Sequence, residues 1–461
     1  MDIGSDMKLF DPQRRLLETL EPTRVVGQVA SASGSAVGVS DFPAPMGASC
    51  RILRGRRSVE AQVIGFDADR ALVMPLGSID GVRLGDSVEL GLRQHALPVG
   101  PALLGRVVDA LGRPMDGGPA PRCEELAPIW PRPIEPMQRR RITQPMPTGI
   151  RAIDAMMTVG RGQRMGIFSG SGVGKSVLMG MLARSSAADV TVIALIGERG
   201  REVRDFVEKD LGPEGLKRSV VVASTGDGPP PLRVQAGATA TAIAEHFRDR
   251  GCDVLLLMDS LTRLAWAQRQ IGLAAGEPPA TKGYTPSVLD LLPRLLERCG
   301  RTASGSITGF YTVLLEGDDM SEPVADAIRA VTDGHILLSR DLGDLGHYPA
   351  VDILRSVSRV MGDVADAEHR AAAREIHKLA AMHSQVEDLV NIGAYQFGVN
   401  EGNDLAIQAM PKIREFLAQA IAERATFEKT RAGLLELVRQ VGLMRKRPVG
   451  KPAQPAWIGR T

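Results

Sequence analysis

Eight consecutive residues, Ser169-Gly170-Ser171-Gly172-Val173-Gly174-Lys175-Ser176, combine three glycines with a lysine and a terminal hydroxyl. They follow the apolar run Met165-Gly166-Ile167-Phe168 and open the helical run Val177–Leu182. A strand, a glycine loop and a helix in that order direct backbone N–H groups onto a phosphate chain, and the helix N-terminus adds positive potential. Gly170, Ser171, Gly172, Val173 and Gly174 supply the cradle. Lys175 is placed to reach β- and γ-phosphates, and the Ser176 hydroxyl to ligate Mg²⁺. The strict pattern begins with Gly where this chain has Ser169; a small residue meets the same requirement. The bland alternative is a Gly/Ser turn between two core elements. A Lys-Ser pair where a strand feeds a helix favours phosphate.

Phosphoryl transfer to water also needs a carboxylate for the metal, one for the water, and positive charge near the transferred group. Asp259 ends the apolar strand Val254–Met258, the Walker B position for Mg²⁺, with a cap on a helix beginning at Ser260 as the alternative. Glu198 follows the apolar run Thr191–Ile196, on the ligand side of an open α/β sheet, where a carboxylate can polarise water. Arg199 and Glu202, in the same Gly197–Glu202 run, read equally well as surface charges. Arg263 lies one helical turn beyond Asp259 and can face the same site. Arg359, beyond the sheet, carries no assignment by itself.

Positioning these residues requires a parallel sheet. From about 149 to 355, short apolar runs alternate with helical ones: 191–196, 219–224, 254–258, 309–315 and 335–338 read as strands covered on both faces. Residues 24–95 carry short β runs between Gly, Asp and Pro, the pattern of a small barrel. Residues 98–150 read as a turn-dense connector (Leu104–Gly117), then an extended Pro-laden run (Pro128–Pro147) wrapping a domain. Beyond 361 the chain reads as helical, over Asp366–Leu389, Asp404–Gln408 and Ile413–Val441. The domains expected are 1–23 (an amphipathic segment), 24–97 (barrel), 98–360 (P-loop α/β core) and 361–461 (helical, with a basic tail). Residues 7–20 suit either a docking helix for a partner or lipid surface, or a helix packed on its own barrel.

The chain has 461 residues, a net charge of +2 and 4% aromatics. The charge gives no global argument for nucleic acid, and the barrel offers only Phe42 and Phe66 as stacking rings, which argues against single-strand binding. Four scattered cysteines form no C-x-x-C pair, so neither zinc nor a disulfide framework is expected, and a reducing, cytosolic setting is. No signal-like N-terminus or membrane-spanning run is present in the sequence.

The P-loop Gly170–Ser176, the run Gly197-Glu198-Arg199-Gly200-Arg201-Glu202, Met258–Arg263, Gly346–Asp352 and Ser356–Arg359 occur together in one order. In that order and spacing they resemble the catalytic subunits of rotary ATPases, over residues 24–440. Thr148–Asp154, Gly162–Phe168 and Ala265–Leu273 are most similar to the type III export ATPases, with the flagellar branch favoured over the virulence branch. The resemblance implies an α/β P-loop NTPase core with a mostly parallel, RecA-like sheet, an N-terminal small β-barrel and a C-terminal helical domain. It implies ATP and Mg²⁺ as cofactors. Glu198 would activate water, Arg199 and Arg263 would bind phosphate or hold the local charge network, and Tyr348 would stack near adenine. Arg359 would act from a neighbouring subunit as an arginine finger. Implied partners are further copies of the chain in a homohexamer, the flagellar export apparatus, a regulator or stator protein, and export chaperones and substrates, with peripheral inner-membrane contact from the cytoplasm and no nucleic acid. Two other classes stand beside this: an RNA-dependent translocase of the transcription-terminator type, and a non-catalytic nucleotide-binding subunit. Glu198 beside Lys175 and Asp259 argues against the latter.

Overall fold

A computed structural model describes residues 24–445, apart from Arg56 and residues 92–95. The amphipathic segment expected at 7–20 and the tail beyond Arg445 lie outside the described residues. The chain begins with six short strands: β1 (Val26–Ser33), β2 (Ala36–Ser40), β3 (Ser49–Arg54), β4 (Arg57–Asp67), β5 (Arg70–Pro75) and β6 (Ser87–Leu90). They close into an antiparallel barrel in the order β1-β2-β5-β4-β3-β6. Alternation along the strands fills it: Val37, Val39, Ile52, Ala61, Val63, Val73 and Val88 point inward.

The barrel ends at β6. The next strand, β7 (Ala96–Val99), pairs instead with β9 (Glu125–Pro128) as a separate ribbon. Between them, β8 (Arg106–Val108) lies inside the stretch expected to be a connector. It adds to the edge of the central sheet by parallel pairing with Val220–Val222. Three residues are too few to show a period, so only the neighbouring strand reveals it as a strand.

The remaining strands are β10 (Arg164–Ser169), β11 (Val190–Glu198), β12 (Ser219–Thr225), β13 (Asp253–Asp259), β14 (Gly300–Arg301), β15 (Ser306–Leu314), β16 (Gly334–Leu338) and β17 (Val351–Ser358). They join β8 in a nine-stranded sheet ordered β17-β16-β10-β15-β13-β11-β12-β8, with β14 pairing off β15. All main-path pairs are parallel except β16–β17. β11 is buried along its whole length, as two-sided helical cover requires. The glycine loop, β11 and β13 therefore deliver their following residues to one end of the sheet, the C-terminal end of its parallel strands.

The C-terminal region holds three long helices, Ala367–Asn391, Glu401–Leu417 and Phe427–Arg445. The helical stretch expected over 413–441 is interrupted between Leu417 and Phe427. There Gln419 leaves the helix to accept from Arg151 N at 2.7 Å and to donate to the Gly149 carbonyl at 2.8 Å. A buried side chain so well partnered outweighs local helix propensity. Among the described residues, no helix is long and apolar enough to cross a membrane.

Candidate active site

Gly174 caps the N-terminus of the helix Lys175–Ser185 with φ 91°, and Gly172 has φ 83°. Both conformations belong to glycine, so the loop can turn tightly and present its amides. Val173 is buried beneath the loop, while Ser171, Gly172 and Ser176 face solvent. The loop thus has an anchored floor and an open mouth.

Lys175 turns back toward the sheet. Its ammonium donates to Asp259 Oδ1 and lies 3.9 Å from Glu198 Oε1. Arg263 closes the other side of Glu198, 3.3 Å from Oε2, and donates to the Gly197 carbonyl. Glycine is required at 197: its φ is +73°, and a Cβ there would meet Arg263 Cβ at 2.9 Å. Sheet order explains the convergence. β13 lies beside β11, and β10 is one strand further on across β15.

Asp259 is 4% exposed. Glu198 is also buried, and its Oε1 has no hydrogen-bond partner in the protein. Burial pushes the Glu198 carboxyl up to about 7, the Asp259 carboxylate adds to the rise, and Lys175 and Arg263 oppose it. A carboxylate tuned toward neutrality, with a free oxygen facing the loop, suits a group that takes hydrogen bonds from water. For the metal, Ser176 Oγ and the Asp259 carboxylate are hard oxygen donors that fit Mg²⁺. No group of three or more His, Cys, Asp or Glu residues is placed to hold a metal among the described residues.

Tyr348 lies against the loop: a Cβ on Gly174 would stand 3.6 Å from its ring. Tyr348 is 48% exposed, so its side chain is not closed off from solvent. Its carbonyl accepts from Gln419 N at 2.9 Å, so the C-terminal region fixes the Tyr348 segment to the loop. Gln419 escaped sequence reasoning because nothing near it in sequence marks a site.

Two expected residues are not brought into this cluster. Arg199 is exposed, and its partner is Glu202 at 3.7 Å. It is the surface charge that the residue-level reading allowed, not a member of the Lys175–Asp259–Glu198–Arg263 group. Arg359 stands at the other end of the sheet. β17 runs antiparallel to β16 and pairs Ser358 with Gly334. The Arg359 amide then donates to the Asp333 carbonyl, and Asp333 in turn accepts from the backbone of Arg164 at the start of β10. From there to Ser169 is the length of β10, about 17 Å at ~3.3 Å per residue. Arg359 cannot serve its own loop.

The ATP synthase alpha/beta family nucleotide-binding domain matches residues 149–358, its beta-barrel domain matches 23–90, and the T3SS EscN ATPase C-terminal domain matches 365–436. A flagellum-specific ATP synthase of Bacillus subtilis (strain 168) is 48% identical, covering 90% of this chain and 94% of its own. The chain belongs to the flagellar and type III secretion ATPases of the ATP synthase alpha/beta family. A type 3 secretion system ATPase of Xanthomonas euvesicatoria is 49% identical over 93% of this ATPase and 96% of its own length. Among solved structures, the assembled ATPase EscN of the enteropathogenic E. coli type III secretion system superposes with a TM-score of 0.85 at 43% identity, covering 89% of this chain and all of that one. The P-loop core, barrel and helical C-terminal region of this ATPase are those of its family.

Proposed function

We propose that this ATPase hydrolyses ATP as a homohexamer to energise type III protein export, in the flagellar branch. The observation that carries the reading is the placement of its charged groups. Lys175, Asp259, Glu198 and Arg263 gather at the C-terminal end of the parallel strands, while Arg359 is held at the opposite end and faces outward. A site complete except for one cation, on a chain offering that cation elsewhere, calls for a ring in which neighbours exchange it. The assembled state described for EscN supports the same arrangement.

In this mechanism the loop amides and Lys175 hold the β- and γ-phosphates, and Ser176 and Asp259 would hold Mg²⁺, which would supply charge neutralisation to the phosphates. Glu198 orients the attacking water through Oε1. Arg263 holds Glu198 in place from the side away from Lys175. Tyr348 offers a flat face to the base. The neighbour's Arg359 meets the charge that develops on the transferred group.

A central stalk is described in complex with EscN, and the helical C-terminal region here is the natural seat for a comparable partner, alongside export chaperones and substrates. Both flagellar and type 3 relatives stand near 50% identity, so the branch rests on a biological test. Deleting the gene should abolish flagella and leave effector secretion intact. Normal flagella with lost effector secretion would move the protein to the virulence branch. ATP turnover by the purified chain, lost in Lys175→Ala, tests the enzymatic reading directly.

A further inference from the structure

Thr312 lies within β15, between the loop-bearing strand β10 and the Asp259-bearing strand β13. It is fully buried. A β-branched residue there reads as ordinary strand filler, and valine would fill the space equally well. Yet its hydroxyl does something valine cannot: it donates to Asp259 Oδ1 at 2.7 Å, with the Met258 carbonyl a more distant acceptor at 3.3 Å. The parallel register puts Tyr311 opposite Met258, so the next residue of each strand, Thr312 and Asp259, emerges side by side.

Asp259 Oδ1 therefore has two donors, Lys175 and Thr312, while no hydrogen bond from the described residues reaches Oδ2. The two donors differ in kind. The Lys175 ammonium is a point charge on a flexible stem with three hydrogens, and it is shared with the phosphates. It can follow the carboxylate as it turns. The Thr312 hydroxyl sits on a side chain restricted at χ1 and fixed within a strand. It alone defines which oxygen of Asp259 faces the sheet.

We infer that Thr312 is a positioning residue for the metal: it pins Oδ1 of Asp259 so that Oδ2 is the oxygen left for Mg²⁺. This rests on the ATPase reading above. It places Thr312 in the shell that orients a ligand, where loss of a partner costs about 10–100-fold in metal affinity.

The test uses the full-length chain and a fluorescent ADP analogue, with binding followed as Mg²⁺ is titrated from a chelated start. Thr312→Val, which keeps the shape, and Thr312→Ala should need roughly tenfold more Mg²⁺ for the metal-dependent gain in binding. Both should bind the analogue without metal within about twofold of wild type, because Lys175 can bridge carboxylate and phosphate. Thr312→Ser, which restores the hydroxyl, should titrate near wild type. Valine and alanine variants with the wild-type Mg²⁺ midpoint would overturn the inference. So would a serine variant as impaired as valine, or metal-free binding that falls in step with the metal response. A wild-type chain whose binding gains nothing from Mg²⁺ would instead defeat the underlying ATPase reading.

Discussion

If Arg359 completes a neighbour's site, two inactive variants must repair each other. Lys175→Ala removes the loop cation but leaves Arg359 intact; Arg359→Ala does the reverse. Each alone should be nearly inert, since an arginine finger contributes about 10³–10⁵ in rate. In a randomly assembled equimolar mixture, a site has its own Lys175 in half the cases, and a neighbour with Arg359 in half of those. About a quarter of the sites are then whole, so the mixture should turn over ATP at about a quarter of the wild-type rate per chain, if sites act independently and each variant alone is nearly inert. The magnitude follows from the fold, because the roughly 17 Å between the two ends of β10 forbids repair within one chain. The assay is steady-state phosphate release after co-refolding or subunit exchange, with mixing verified by differently tagged chains. A verified mixture no faster than its parents would refute the trans arrangement.

Other consequences follow from the same structure. Glu198 must be ionised to polarise water, and its carboxyl is raised to about 7 by burial and by Asp259, so kcat/KM should rise with pH through about 7 and fall about tenfold per unit below it. Glu198→Gln should remove turnover while retaining nucleotide binding. The linkage to stability has the opposite sense: a carboxyl raised above its unfolded value favours the fold when protonated, and that contribution is lost as pH climbs through about 7. Tyr348→Ala should raise KM for ATP by about tenfold with little change in kcat, whereas Tyr348→Phe should behave as wild type, because in the proposed mechanism the ring face and not the hydroxyl meets the base. Glu245 and Arg298 are each 8% exposed and paired through Arg298 Nε at 3.1 Å. Glu245→Ala leaves that guanidinium buried and unpaired, which should cost about 3–5 kcal/mol in a urea unfolding experiment, and unchanged stability would show that water replaces the carboxylate.

Much of the site was legible because its chemistry is local. A glycine loop between a strand and a helix can be read from adjacent residues, and so can a carboxylate closing an apolar run. The five strands expected between 191 and 338 appear where long β-branched and aliphatic runs demanded them, since strands covered on both faces need no polar alternation. Arg199 shows the limit of this reading. Sequence places it beside Glu198, but one residue along an emerging chain turns the side chain from the site to solvent.

The sequence alone determined which groups are proposed to act on phosphate, the order of the three regions and the hydrophobic runs that become the sheet. Tertiary structure decided everything that depends on lateral strand order. It made β8 a strand by giving Val107 a neighbour, and it broke the helix at Gln419 by offering that side chain buried partners. It also set Thr312 beside Asp259 across 53 residues of chain, and it carried Arg359 away from the loop its own chain provides. The reason is physical: a strand's hydrogen bonds lie between strands, not along one, so which residues meet at one end of the sheet is a property of the assembled sheet.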